Sequence, residues 1–315
     1  MLSLPLKNAP NNDISGTLSR GGAPTWVPPD DATATDLLIV TVGWNVVDLL
    51  LDNLRTLQNS VGTFSVRMVV VDNASHDQTV ERVTAEFPWV TVIANTENRG
   101  FGAACNQGIL AGRSRHVLLL NPDMRVEPDA LARLIEYADT HPEVGVISGK
   151  LTHEDGSIIQ SVRRFPDFVS QFVILSQLEK VFPSLTKRYH ARDLDLNQEQ
   201  EVDSVRGSLF LMTERALRVL GGIDERYFIW FEEVDYCRRA KLHGLQVMHV
   251  PAVRAFDAIG RSFAQRDVFW KQQQFTRSMV TYFTLWAPWW QSTVLRTFRL
   301  INLTAAWLVV RLKRV

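Results

Sequence analysis

The sequence predicts an α/β fold with a mostly parallel central sheet flanked by helices. Three observations carry this expectation. From Asp36 onward, short aliphatic runs alternate with stretches whose apolar residues recur at helical spacing. Each run is too short for a helix and is bounded by turn residues. The runs are also continuously apolar, as expected of strands covered on both faces by βαβ crossovers.

Taken in order, the first run covers residues 37–42, ends at Gly43-Trp44-Asn45 and leads into a helix over 46–57. The second, 66–71, ends at Asp72-Asn73-Ala74-Ser75, and a helix follows over 78–87 with Ser75 or Asp77 as its cap. The third, 90–94, passes through Asn98-Arg99-Gly100-Phe101-Gly102 into a helix over 103–111. The fourth, 117–120, ends at Asn121-Pro122-Asp123. A helix over 129–140 and a run at 144–148 continue the sheet. Residues 151–205 are less regular and carry Arg163, Arg164, Lys187, Arg188 and Arg192, as a second half serving a different ligand would. A further block runs from Gly207 to Pro251 and includes a helix-like stretch at 235–243.

Composition narrows the classes. Of 315 residues, 46% are hydrophobic and 22% charged, which allows a sizeable core and excludes a disordered or fibrous chain. Lys plus Arg equals Asp plus Glu at 34 each, so no global field draws the protein to nucleic acid. Cys105 and Cys237 are too few for a disulfide framework and suit a reducing, cytoplasmic setting. Residues 1–35 read as a flexible leader without a secretory signal, and 36–275 as the folded domain, divided into 36–125 and 126–275. Residues 276–315 form an aromatic, apolar tail. Its second apolar run, 300–310, falls short of the ~20 residues a bilayer span needs. The tail either packs on the core or a second subunit, or lies at a membrane interface.

In such sheets ligands gather at the carboxyl ends of the strands. Asp72 stands at one such end, placed to accept from a ribose hydroxyl or a base N–H. Asp123 stands at another, and with Asn121 it supplies the one or two protein oxygens a hard divalent cation takes beside phosphate and water. The same three residues also describe an Asx-Pro turn. Gly100 to Cys105 approaches a dinucleotide fingerprint, which keeps a nicotinamide or flavin oxidoreductase open. Residues 96–99, however, separate those glycines from their strand, so the loop can instead let Arg99 and Asn106 approach a ligand. Residues 224–235 set five carboxylates among Tyr227, Phe228, Trp230 and Phe231. Burial there raises carboxyl pKa values and suits proton abstraction.

In this order, Asp72-Asn73-Ala74-Ser75, the Gly100 loop with Asn106, Asn121-Pro122-Asp123, Gly221-Gly222-Ile223-Asp224-Glu225 and Phe231-Glu232-Glu233-Val234-Asp235 resemble the family 2 glycosyltransferases of GT-A fold. The rhamnosyltransferase-like branch, which builds bacterial cell-wall and surface polysaccharides, is the most similar. The resemblance covers about residues 36–265. It implies that Asp72 and Asn73 contact the nucleotide, that Thr41, Gly43 and Asn45 form its first loop, and that Arg99, Gly100, Asn106, Asn121 and Gly207 complete the nucleotide-sugar site. It further implies Mg²⁺ or Mn²⁺ on Asp123, and a base at Glu233 beside Glu232. The implied donor is a dTDP or UDP sugar. The expected acceptor is a polysaccharide or a lipid-linked saccharide; the Arg-bearing 151–205 segment, suited to phosphate, and the aromatic tail favour a lipid-linked one, at the inner face of the plasma membrane. Two positions depart from the pattern: Glu233 replaces the more usual Asp, and Asp257, three residues before Gly260-Arg261-Ser262, stands where a metal-binding His is often found. A nucleotide-sugar-binding module without turnover remains open on those two changes.

Overall fold

The structure, a computed structural model, describes residues 35–60, 62–258 and 265–312, with side chains of the last helix as far as Thr304. The leader over 1–34 and the Gly260-Arg261-Ser262 pattern lie outside the described residues.

The strands are β1 (Thr35–Gly43), β2 (Val66–Asp72), β3 (Thr91–Ala94), β4 (Ser114–Leu120), β5 (Met124–Val126), β6 (Val144–Thr152), β7 (Val162–Arg163), β8 (Gln200–Glu201), β9 (Ser204–Val205), β10 (Leu209–Met212) and β11 (Gln246–Asp257). The helices are α1 (Val47–Gln58), α2 (Thr79–Glu86), α3 (Phe101–Ala111), α4 (Ala130–Thr140), α5 (Phe168–Leu175), α6 (Glu214–Leu220), α7 (Glu232–Leu242), α8 (Val268–Trp286) and α9 (Trp289–Leu312).

The main sheet runs β3-β2-β1-β4-β10-β6-β11-β5, with β8 also on β11. The β3, β2, β1 and β4 neighbours pair in parallel, as do β6 and β11, while β10, β5 and β8 run the other way. The sheet is therefore mixed but mostly parallel. β1 explains why its strands read as unbroken apolar runs: Leu37 and Ile39 join the core under α1 and α4, while Leu38 and Val40 join the opposite core under α3, α6 and α7. Both faces are covered, and each fully buried leucine contributes roughly 1.5–3 kcal/mol relative to exposure.

Antiparallel β10 is the element that positions the site. Its first residue, Leu209, pairs with Leu120 at the end of β4, and the Asn121 N–H donates to the Ser208 carbonyl at 3.0 Å. Arg206-Gly207-Ser208 is thereby delivered to the carboxyl end of a parallel neighbour. On the far side, β5 pairs with β11 so that Met124 opposes Asp257, and the Ala258 N–H donates to the Asp123 carbonyl at 3.2 Å.

The tail packs on the core. α8 runs unbroken from Val268 to Trp286, so residue 275 lies inside a helix. Its Met279, Tyr282 and Phe283, with Leu295 of α9, are buried against Tyr227, Phe231, Val234 and Leu175. Trp289, Trp290, Leu300 and Ile301 of α9 stay exposed. Among the described residues no helix is long and apolar enough to cross a membrane.

Candidate active site

Two strand-end loops form one wall. Gly43 and Asp72 end β1 and β2 in the same register, and the Asn73 N–H donates to the Gly43 carbonyl at 2.8 Å. The Asp72 carboxylate is buried; its Oδ2 accepts from the Ser75 N–H at 3.1 Å, and its Oδ1 meets no hydrogen-bond partner among the described residues. Asn45, with φ +53°, accepts from the His76 N–H through Oδ1 at 2.7 Å and donates its own N–H to Ser75 Oγ at 2.9 Å. Neither Ser75 nor Asp77 caps α2, as the sequence suggested. Asp77 instead accepts from Val47 N–H at 2.9 Å, capping α1 across the loop. Thr41 is fully buried within β1.

The glycine loop is a packing device. The Phe101 N–H, first of α3, donates to the Phe228 carbonyl at 2.7 Å, so the helix start is occupied by protein backbone. Gly100 has φ +86°, and a Cβ there would stand 2.6 Å from the Phe228 carbonyl oxygen. A dinucleotide fingerprint needs that helix start for pyrophosphate, which removes the oxidoreductase alternative. Asn73 holds the loop: Oδ1 accepts from the Arg99 N–H at 3.0 Å and Nδ2 donates to the Gly100 carbonyl at 3.2 Å. Asn106 is not among the residues that line the cleft. It is buried, donating through Nδ2 to the Ile223 carbonyl at 2.8 Å and Glu225 at 2.9 Å, and accepting from the Ile223 N–H at 2.9 Å. The Arg99 side chain is exposed and outside the cleft lining.

Asn121-Pro122-Asp123 is both a turn and a wall of the cleft. The Met124 N–H donates to the Asn121 carbonyl at 3.2 Å, and buried Asn53 of α1 anchors the turn by donating to the Met124 carbonyl at 2.7 Å. The cleft encloses about 380 Å³ and brings together Gly43, Asn73, Gly100, Asn121, Asp123, Gly207, Glu232, Glu233 and Asp257. Asp123 and Asp257 are both buried, and Arg206 Nη1 lies 3.3 Å from Asp257 Oδ2. Among the described residues no group of three His, Cys, Asp or Glu side chains is gathered for a metal. Two adjoining buried carboxylates nonetheless fit a hard divalent cation whose remaining ligands are phosphate oxygens and water.

The acidic segment sorts itself by partner. Asp224 is engaged by Arg226, and Glu225 by Asn106. Asp235 accepts from Arg239 Nε at 2.9 Å and Trp286 Nε1 at 2.7 Å. Only Glu232 and Glu233 of the five carboxylates reach the cleft. They do not precede α7 but are its first two residues, because Trp230 (φ +65°) and Phe231 (φ +71°) turn the chain into the helix through left-handed backbone. Consecutive left-handed aromatics are sparsely populated geometry of the kind that gathers at functional sites. Glu232 is buried, and its carboxyl is pushed well above the usual range by burial and then by the charge of Glu233. Glu233 is half-buried and also raised by burial, but the helix-start N–H groups, Arg206 and Arg163 pull it back toward ionisation. Gly207 lies against it, a Cβ there falling 3.6 Å from the Glu233 Cβ, which leaves room for a stem one methylene longer than Asp.

Several cleft residues carry no signal in their immediate sequence. Arg206 arrives only because β10 inserts antiparallel between β4 and β6. Arg266 stacks over the Trp44 ring at 3.8 Å and the Trp270 ring at 4.8 Å, and it lines the cleft together with Lys271.

This architecture defines the class. It is similar to a mannosyltransferase from Pyrobaculum calidifontis in complex with GDP-Man and Mn²⁺, with a TM-score of 0.54 and 18% identity over 90% of this chain and 77% of that one. The fold is GT-A. Residues 38–194 match Glycosyl transferase family 2, and the chain belongs to that family. The N-acetylglucosaminyl-diphospho-decaprenol L-rhamnosyltransferase of Mycobacterium tuberculosis is 28% identical over 200 residues, 59% of this chain and 64% of that protein. A rhamnosyltransferase of Escherichia coli is 27% identical over 159 residues, 49% of this chain and 58% of its own length. The chain thus spans less than two thirds of either relative. The family match ends at residue 194, before Arg206, Glu232, Glu233 and Asp257, so their roles rest on geometry.

Proposed function

We propose that the protein is an inverting, divalent-metal-dependent glycosyltransferase that moves rhamnose or a related hexose from a dTDP or UDP donor to a saccharide hydroxyl, on a polysaccharide or a lipid-linked acceptor. The observation that carries this reading is that Glu233, its pKa raised by burial, lines the same cleft as Asp123 and Asp257. Asp72 accepts from the nucleoside, and Gly43, Asn73 and Gly100 border it. Arg206, Arg266 and Lys271 bring positive charge to the diphosphate. Mg²⁺ or Mn²⁺ held by Asp123 with Asp257 would supply Lewis-acid stabilisation of the departing diphosphate. Glu233 accepts the proton of the acceptor hydroxyl, whose oxygen bonds to the anomeric carbon as the bond to the diphosphate oxygen breaks on the opposite face. The configuration inverts. The relatives' names support a rhamnose-type donor and, for the mycobacterial protein, a lipid diphosphate acceptor. With such an acceptor the protein works at the inner face of the plasma membrane, touching it through the exposed side of α9.

Glu233→Gln is the direct test. Sugar transfer is expected to fall ~10²–10⁴-fold, the usual share of a general base, while thermal stabilisation by nucleotide sugar with Mn²⁺ persists. Retained transfer moves the base to Glu232. If no nucleotide sugar stabilises the wild type, with or without Mn²⁺, the glycosyltransferase reading fails. Binding without release of diphosphate favours a sugar-binding module.

A further inference from the structure

A second cavity of about 500 Å³ adjoins the first, and the two share Arg206, Trp230 and Glu233 as a common wall. If the first cleft holds the donor, the second places a separate ligand space against the same Glu233. Its chemistry differs from that of the first. Arg163, His153 and Tyr189 line it together with Phe231 and Phe275.

Arg163 is the informative residue. It is half-buried, and both of its hydrogen bonds use Nη1, donating at 2.8 Å to the Gln160 and Val162 carbonyls. Nε and Nη2 donate to nothing among the described residues, and no carboxylate there lies within ion-pair distance of this guanidinium. Burial lowers its pKa and the like charges of Arg206 and Arg192 lower it further, while Tyr189 and Glu233 act the other way, Glu233 being the one carboxylate among them. A guanidinium stays protonated under such pressure, so the cavity holds a charge that the fold leaves under-compensated. A guanidinium with Nε and Nη2 left to donate, in a cavity that Phe231 and Phe275 also line, suits an oxyanion with several acceptor oxygens joined to an apolar or sugar body.

We propose that this second cavity is the acceptor subsite and that Arg163 binds a phosphate or diphosphate group on the acceptor, holding its sugar hydroxyl at Glu233. The inference rests on the glycosyltransferase reading and adds the acceptor's charge class to it. The partner is an anionic phospho-acceptor, and a neutral glycan end would leave the guanidinium unanswered.

The test uses the full chain with its donor cleft filled by saturating nucleoside diphosphate and Mn²⁺. Farnesyl diphosphate is then titrated by calorimetry, with farnesol as the neutral control. The expected results are saturable binding of farnesyl diphosphate, little of farnesol, at least tenfold weaker binding by Arg163→Gln, and recovery of most of the affinity by Arg163→Lys. Nucleoside diphosphate affinity, measured in the same series, is expected to be equal in all three proteins and reports that each is folded. Unchanged farnesyl diphosphate binding by Arg163→Gln, equal binding of farnesol, or competition between the probe and the nucleoside diphosphate overturns the subsite. Absence of nucleoside diphosphate binding by wild type instead sinks the donor reading, so the two failures are distinct.

Discussion

Glu232 and Glu233 are adjacent in sequence and burial raises the pKa of both, yet their surroundings differ. Glu233 has cations and helix N–H groups to favour its charge, whereas Glu232 Oε2 is buried without a hydrogen-bond partner among the described residues. The folded-state pKa of Glu232 lies above its unfolded value, so the folded protein holds a proton that the unfolded chain releases. The cost to stability is absent below the unfolded pKa and grows by ~1.4 kcal/mol per pH unit as pH climbs toward the folded value. Glu232→Gln keeps the shape and removes that cost. Its melting temperature is expected to exceed wild type at pH 7–8 and to match it near pH 4. A uniform difference across that range would show that Glu232 is not held neutral. The adjacent pair is legible in the sequence as two acids among aromatics; the cations that favour charge on Glu233 are not, because Arg206 and Arg163 come from distant segments of the chain.

At the scale of elements, the loop from β3 into α3 shows how backbone contact can imitate a ligand motif. Gly100 and Gly102 both accommodate the 223–228 segment: a Cβ on Gly102 would meet the Tyr227 carbonyl at 3.2 Å. Gly100→Ala should therefore cost more than positive φ alone. Gly156, at φ +80° with nothing within 4 Å of an added Cβ, isolates the backbone part. Gly156→Ala is expected to lose about 1 kcal/mol in denaturant unfolding and Gly100→Ala clearly more, since overpacking adds ~1–3 kcal/mol. Only Gly100→Ala should also weaken donor affinity, because it displaces Phe228 from the cleft wall. Equal losses would mean the Phe228 contact is slack. The parallel half of the sheet was legible because βαβ units are local in sequence and their strands read as plain apolar runs. β10 was not, since its neighbours β4 and β6 are fixed by long-range pairing. The start of α7 was misplaced because no local rule anticipates two left-handed aromatics. The packing role of Asn106 is hidden from the sequence because its partner, Ile223, lies 117 residues on.

At the scale of the whole molecule, the tail joins the base loop to the surface that could meet a membrane. Tyr282 and Phe283 share a buried cluster with Phe231 and Val234, the flanks of Glu232 and Glu233, and Ser278 Oγ donates to the Ile229 carbonyl at 2.7 Å. Truncation near Arg277 would strip that cluster, so loss of activity or of vesicle binding could not be assigned to the surface. Substituting the exposed residues of α9 avoids this. Trp289 is 78% exposed, Leu300 62% and Ile301 60%, so polar replacements there remove interfacial anchors and little of the core. In flotation with anionic vesicles, the full-length wild type is expected to rise with the lipid. A Trp289→Ser, Leu300→Ser, Ile301→Ser variant should stay behind, with an unchanged melting temperature and unchanged transfer to a short-chain acceptor. Equal flotation of the two proteins would assign these residues to another partner and leave α9 as the buttress of the base loop alone.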